Sequence, residues 1–489
     1  MPSHRRTRGV FAAALATLLL PMAAAAQQNA IPLAEVLPQL LGNTIVLLPT
    51  NLPDQPNHQA HFKPGPDQLE VPRQFNRSLL TLLSTSPVAS PSGGFTYTFD
   101  PALGTFRRTS QSFGPTFAER AITIGKGRVS VGMGYQHATY DTFEGLNLRQ
   151  RNRNSTDIRG VSFYVPHADC CSSGGGTASQ PDGRLTSPAF EGDLVRADLA
   201  LNVTTDSTVF AANYGVHDRL DIGVVVPFLH VKMDASVVAT IERLSTAAEP
   251  EIHSFPDGDS ATFVAGGSAS GLGDIVLRAK WRALPAGGGG LALATDVRVP
   301  TGDESNLLGT GGVQTKIYAV GSLTRGAFSP HVNAGYTFST EGALPDARLR
   351  DEVNVAAGFD WALTPRATLA VDWVGRSLQD AGRLRLAEKT FRYVEGGTGT
   401  GGGGGTGGGG GGTGGGGGGG GTRPPSQELT TTRTELKFED GNLNLSFGSI
   451  AFRFSPWRSV LVTAGLLVPM TEAGLRDRVT PIIGIDYGF

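Results

Sequence analysis

VTPIIGIDYGF, residues 479–489, sets Val479, Pro481, Ile483, Ile485, Tyr487 and Phe489 on one side of an extended chain, with Asp486 on the other. Successive side chains of a strand point to opposite faces, so one face here is apolar and aromatic and the other is not. The same rule holds upstream. Val129, Val131, Met133 and Tyr135 alternate with Ser130, Gly132, Gly134, Gln136 and Ala138. Leu291, Leu293, Val297 and Val299 oppose Asp296 and Arg298, and Val332, Tyr336 and Phe338 oppose His331, Asn333 and Thr337. Val353, Val355, Phe359 and Trp361 oppose Asn354 and Asp360, while Leu369, Val371 and Trp373 oppose Ala370 and Asp372. A soluble sandwich and a membrane barrel both alternate in this way, so the period leaves the two open.

Connector lengths separate them. Strands read at 127–140, 194–214, 219–241, 271–284, 291–300, 312–325, 328–340, 351–362, 367–378, 441–454, 458–469 and 479–489 leave alternately short and long connectors. The short ones are GVHDR (215–219), PAGGGG (285–290), RGAF around Arg325, LTPR (363–366) and SPWRS (455–459). The long ones are 141–193, 242–270, 301–311, 341–350, 379–440 and 470–478. Short periplasmic turns and longer outer loops are the pattern of an outer-membrane barrel. The fold class is therefore all-β, an antiparallel transmembrane β-barrel of twelve strands, with both chain ends on the periplasmic side. Two stretches strain that count. In 194–214 the outward parity slips between Val203 and Phe210, which calls for a bulge near Thr204 to Ser207, or for a turn at TTDS that would bring in 158–165 and make fourteen strands. A second slip, from Leu443, Leu445 and Phe447 to Ile450, Phe452 and Phe454, places a bulge at Gly448 and Ser449.

The chain opens with Arg5, Arg6 and Arg8, an apolar stretch from Val10 to Leu20, and Ala24-Ala25-Ala26 before Gln27. That is a signal peptide (1–26) cleaved after Ala26, so the protein is exported. No later window offers about 18 uninterrupted apolar residues, which leaves strands as the means of spanning a bilayer. Residues 27–126 alternate poorly: a short helix is expected around Ala34 to Leu41, and prolines at 49, 53, 56, 64, 66 and 72 punctuate the rest. A barrel of about eight strands fills itself and one of about sixteen leaves a channel. At twelve, this irregular, partly helical segment is expected either to enter the lumen as a plug or to remain a disordered periplasmic leader, ahead of the barrel proper at 127–489. Tyr487 and Phe489, closing an amphipathic last strand, resemble the C-terminal signal by which outer-membrane barrels are handed to their insertion machinery.

Lys and Arg number 41 against 43 Asp and Glu, a formal charge of −2, so nothing gathers nucleic acid. His58 and His61, and His167 with Asp169, Cys170 and Cys171, carry ligand-type residues, but neither group supplies the three or four ligands of a closed site; no metal and no cofactor is expected. The vicinal cysteines are either a strained disulfide or free thiols. PTGDESNLLGTGG (300–312) lacks the GK[ST] ending of a phosphate loop and reads as a connection between strands. Of 68 glycines, 22 fall between Gly396 and Gly421, a flexible insert in a long loop. The polar set opposite the apolar stripes is expected to face the lumen: Arg278, Lys280, Arg282, Asp296, Arg298, Lys316, His331, Asp360, Asp372, Arg376 and Asp486. These charges either line a path or pair with one another and fill the interior.

Five stretches, SFGPTFAERAITIGKGRVSVGMGYQ (112–136), YGVHDRLDIGVVVPF (214–228), GLGDIVLRAKW (271–281), PTGD with LLGTGG (300–312) and PHVNAGYTF (330–338), together resemble the outer-membrane family labelled as a meta-pathway of phenol degradation component, a group of proposed barrel transporters. The resemblance spans roughly 112–489 outside the glycine run. It implies passive passage of small aromatic or hydrophobic solutes across the outer membrane and brings no catalytic residues. With the signal peptide, the loop pattern and the last strand, the expectation is a monomeric barrel of the bacterial outer membrane, with outer-membrane lipid and the insertion machinery as partners and no enzymatic activity. A structural or surface-interaction barrel with no open pore is the alternative, and a barrel-embedded hydrolase, marked by a Ser and a His within hydrogen-bond reach, is the third.

Overall fold

A computed structural model describes residues 31–42, 46–49, 59, 62, 66–84, 87, 97–100, 105–108, 110–149, 160–167, 192–246, 251–286, 288–342, 349–394, 428–457 and 459–489. The expected signal peptide (1–26), His58, His61, Asp169, Cys170, Cys171 and the glycine run lie outside the described residues. Twelve antiparallel strands form a closed barrel: β1 (Val129–Phe143), β2 (Leu194–His217), β3 (Leu220–Glu242), β4 (Ile275–Ala286), β5 (Gly289–Val299), β6 (Gln314–Ser322), β7 (Phe328–Ser339), β8 (Glu352–Thr364), β9 (Ala367–Leu378), β10 (Leu443–Trp457), β11 (Val460–Pro469) and β12 (Thr480–Gly488). Each pairs with the next, and β12 pairs back onto β1 from Ile482↔Gln136 to Gly488↔Ser130. Closure leaves these strands no open edge, the condition for a sheet to stand in lipid.

Neither expected bulge exists. β2 pairs with β1 from Tyr214 to Val203 and with β3 through the same stretch without a register shift, so TTDS is not a turn and fourteen strands are excluded. β10 likewise pairs with β9 from Leu443 to Phe454 without a break. Phe210, Ile450, Phe452 and Phe454 face outward, whereas Val203, Leu443 and Leu445 are buried inside. The apparent slips arise because the interior is itself apolar toward the long-loop end, where an inward Leu is indistinguishable from a lipid-facing one.

The outward face is apolar on every strand: Leu277, Trp281, Leu293, Ile317, Val332 and Ile483 are each about half exposed (50–54%). A soluble monomer does not present such a band. Trp281, Trp361, Trp457, Tyr487 and Phe489 fall near the short-turn ends, as in the aromatic girdle of a membrane barrel.

β2 and β3 have 24 and 23 residues, well beyond the roughly 9–11 that cross a bilayer. Their surplus is extended by two further strands: Val161–Pro166, offered by the sequence reading only as part of its fourteen-strand alternative, pairs with β2, and Ser260–Leu272, largely read as a loop, pairs with the long-loop half of β3. SATFVAGGSASGL has too few large side chains to announce a strand. The connection after β9 contains a hairpin, Arg383–Val394 with Glu428–Glu439.

Against this extended sheet pack a 3-10 turn (Leu33–Glu35), α1 (Val36–Gly42) and α2 (Pro66–Ser84). The first two lie where a helix was expected. α2 was not expected, since prolines 64, 66 and 72 read as punctuation; Pro66 instead takes the first helical position, where a missing N–H costs nothing. Its Phe75, Leu79, Leu82 and Leu83 recur at helical spacing, are buried, and share one core with Leu33, Val36, Leu37 and Leu40 and with inward Leu201, Val203, Val237 and Leu445. Each such side chain contributes about 1.5–3 kcal/mol by leaving water.

The described N-terminal residues also occupy the opposite end of the barrel. Residues 110–124 have no regular structure, and wall side chains satisfy their amides. Phe113 N donates to Thr368 Oγ1 (3.0 Å), and Thr116 N and Phe117 N donate to Asp372 Oδ2 (2.8 and 2.9 Å). Glu119 N donates to Asn333 Oδ1 (2.7 Å), Ala121 N to Ser322 Oγ (3.0 Å) and Ile124 N to Asp221 Oδ2 (3.0 Å).

Candidate functional site: a two-faced chamber inside the barrel

Between α2 and the 110–124 segment lies a cavity of about 300 Å³, bounded by Leu82, Leu83 and Pro87 on one side and by Phe117 and Glu119 on the other. That volume is at the lower end of small-molecule sites, which run from about 300 to 1,000 Å³. The wall between is divided. All the charged side chains that barrel strands contribute, Arg278, Asp296, Arg298, Lys316, Glu352 and Arg376, come from the contiguous arc β4 to β9. The strands of the remaining arc, β10 round to β3, offer Ala138, Tyr140, Leu229, Val231, Leu445, Phe447 and Leu467 among neutral polar groups, and the charged lining residue on this side, Asp477, comes from the β11–β12 connection, where it pairs with Tyr140.

The charged arc is tightly paired. Arg278 grips Asp296 with two bonds, Nε to Oδ1 (2.6 Å) and Nη2 to Oδ2 (2.7 Å), and Nη1 donates to Glu119. Lys280 reaches the other Glu119 oxygen (3.2 Å) and the Arg120 carbonyl (3.3 Å). Arg376 holds Glu352 with Nε to Oε2 (3.0 Å) and Nη2 to Oε1 (2.6 Å). Below them His331 Nε2 lies 2.7 Å from Asp372 Oδ1, and Asp360 stands 3.6 Å from Arg120 and accepts from Ser112. Only a glycine leaves room for this cluster: a Cβ on Gly358 would come within 2.7 Å of Asp372 Oδ1 and 2.8 Å of His331 Nε2. Arg453 spans the gap to β12, donating from Nη1 to the carbonyls of Phe113 (2.8 Å), Gly114 (3.2 Å) and Pro115 (2.8 Å), and from Nη2 to Asp486 (3.3 Å).

Of the residues expected at the lumen, Arg278, Asp296, Arg298, Lys316 and Arg376 line the chamber. Lys280, His331, Asp360, Asp372 and Asp486 lie nearer the short-turn end among the contacts just described, and Arg282 donates to the Gly289 carbonyl by the β4–β5 turn. The sequence reading missed Glu119, Arg120, Tyr318, Glu352 and Arg453. Tyr318, Glu352 and Arg453 share the inward parity of their strands and could have been found by extending the alternation. Glu119 and Arg120 lie in a segment with no period to follow.

The glycine-rich stretch at 300–312 also has a defined task. The amides of Gly302 (3.1 Å) and Thr310 (2.8 Å) and the Thr310 hydroxyl (2.7 Å) converge on the buried Asp274 carboxylate at the mouth of β4. An internal anion thus fills its amide cradle. On the outer face, His230 Nδ1 lies 2.6 Å from Ser270 Oγ, and His137 links Asp206 (2.8 Å) to Thr139 (3.2 Å). These pairs meet the distance mark set for a hydrolase. Acyl transfer also needs amides aimed at an oxyanion; beside Thr139 the flanking strands β1 and β2 pair continuously in their ladder, while Ser270 lies on a strand paired on one side only.

An outer membrane channel from Pseudomonas putida F1 is similar at 11% identity and a TM-score of 0.39, over 76% of this chain and 98% of that one. A Pseudomonas aeruginosa FadL homologue gives 10% and 0.29 over 81% and 94%, and the Ralstonia pickettii toluene transporter TbuX gives 10% and 0.27 over 83% and 99%. No curated protein matches the sequence. Residues 174–408 match the profile of the family described as "Putative MetA-pathway of phenol degradation", and it is this family that the chain resembles.

Proposed function

We propose that this chain is a channel of the bacterial outer membrane that passes small aromatic or otherwise hydrophobic solutes passively, with its N-terminal residues acting as an internal plug. The observation that carries the reading is the two-faced chamber of about 300 Å³ bounded by α2 and by residues 110–124. A barrel that served only as a structural surface would gain from filling this space, because interiors pack densely and each void forfeits contacts. A hydrophobic solute would travel along the more apolar arc. The paired charges opposite hold the plug without giving the path a single sign, so strong charge selectivity of the kind made by one-sign rings is not expected.

The test is solute flux into liposomes carrying the refolded full chain, comparing benzyl alcohol, a hexose and potassium chloride. Faster entry of benzyl alcohol than of the hexose is expected. If no solute crosses although the barrel is folded, the channel reading is wrong, and the long-loop surface becomes the place to seek a function in binding.

A further inference from the structure

Among the described residues of the charged arc, Lys316 is a cation with no carboxylate at ion-pair distance. Lys316 on β6 stands directly across the ladder from Asp296 on β5, where a cross-strand ion pair would ordinarily form. It does not form, because Arg278 already occupies both oxygens of Asp296 and the Tyr318 hydroxyl approaches one of them at 3.4 Å. Glu352 is likewise held on both oxygens by Arg376. The Lys316 ammonium lies instead over the ring of Tyr318, 4.6 Å from its centroid, with no carboxylate within ion-pair distance among the described residues. An ammonium over an aromatic face still has N–H donors directed away from the ring, and Lys316 lines the chamber.

We propose that Lys316 is the head-group anchor of an amphipathic monoanion, a carboxylate attached to an aromatic or short aliphatic body. The carboxylate takes the ammonium, and the body lies across the chamber against Leu229, Val231, Leu445 and Phe447. The inference rests on the channel reading and narrows its solute class. Arg278 and Arg376 cannot serve in this way without giving up partners that would then be left charged and buried.

Equilibrium dialysis of the detergent-purified full chain against radiolabelled benzoate and against benzyl alcohol, its neutral counterpart, tests the assignment in wild type, Lys316→Met and Lys316→Arg. Heat-modifiable migration verifies that each is folded. Benzoate affinity should fall about tenfold or more in Lys316→Met, the loss of one charge-assisted contact, and stay within about threefold in Lys316→Arg, which keeps the charge. Benzyl alcohol should bind alike in all three. Unchanged benzoate affinity in Lys316→Met, equal losses for both ligands, or no benzoate binding by wild type would overturn it. Liposome flux separates the two readings: a wild type that passes benzyl alcohol yet fails to bind benzoate keeps the channel and loses the Lys316 site.

Discussion

Replacing Arg453 with Met should free the 110–124 segment from the barrel wall without unfolding the barrel. The guanidinium makes three bonds to the carbonyls of Phe113, Gly114 and Pro115, at 2.8, 3.2 and 2.8 Å, and one to Asp486 at 3.3 Å. Bonds to a charged donor are worth about 1.5–3 kcal/mol each in isolation, but the carbonyls can recover water once the segment lifts, so the sum overstates the loss. Breaking a buried pair costs about 3–5 kcal/mol because the remaining charge is stranded, and Asp486 would be that charge. Taking about 3 kcal/mol, the population in which the segment is detached rises roughly a hundredfold, at tenfold per 1.4 kcal/mol. Amide hydrogen exchange read by mass spectrometry reports this directly, since local opening governs protection. The amides of Phe113, Thr116, Phe117, Glu119 and Ala121, all bonded to wall side chains, should lose protection by about that factor while those of β4 to β9 keep theirs. Exchange within threefold of wild type at these amides would refute the latch, and a parallel loss across the strands would mean that Arg453 holds the barrel itself.

Other expectations can be checked in the same preparations. Gly215→Ala should prevent normal assembly, because its Cβ would lie 1.9 Å from the Gly125 carbonyl, a backbone atom with nowhere to go; the measurement is the yield of the heat-modifiable folded form. Asp193 sits in the loop before β2: burial pushes its carboxyl up, but His253 at 2.9 Å, Thr246 and the amides of Leu244 and Ser245 at 2.8 Å outweigh it and hold the carboxyl below its ordinary value. Such a depressed group stabilises above its unfolded pKa of about 3.9 and loses that contribution as pH falls through the folded value, so proteolysis of the long-loop end should accelerate only below about pH 4, and Asp193→Ala should show the acid behaviour already at pH 7. Leu293→Arg, on the outward face midway along β5, should cost about 2–4 kcal/mol in a lipid refolding titration, with no effect on benzyl alcohol flux through barrels that do fold. Removal of Phe489 should lower the amount of folded barrel in the outer membrane, measured by heat-modifiable migration, if Tyr487 and Phe489 act as the assembly signal.

The barrel was legible because lipid on one side and polar contents on the other impose a period of two that twelve strands repeat, and because connector lengths record which end of a strand is which. Legibility failed where that contrast vanishes. Val203 and Leu445 face inward yet are apolar, since α1 and α2 rather than water stand opposite them. Ser260–Leu272 carries small residues on both faces and pairs on only one side, so neither periodicity nor hydrophobicity marks it. α2 was hidden by Pro66 and Pro72, although the spacing of Phe75, Leu79 and Leu82 after them is helical. At the site, strand parity put Arg278, Asp296, Arg298, Lys316 and Arg376 on the lining, but parity cannot say which charges find each other.

What decides that pairing is the third element inside the wall. A barrel of about eight strands can neutralise its inward charges from its own side chains, but a wider one leaves them too far apart to meet across the lumen. In this chain residues 110–124 bring Glu119 to Arg278 and Lys280, Arg120 to Asp360, and backbone amides to Asp372 and Asp221. The wall charges of the short-turn half are therefore complementary to a particular strip of chain, and their mixed signs are the imprint of that strip. The chamber lies where the imprint ends. On its charged wall Arg278 and Arg376 are closed by carboxylates, whereas Lys316 faces the cavity over an aromatic ring, so a solute there meets an available cation on one wall and an apolar surface on the other.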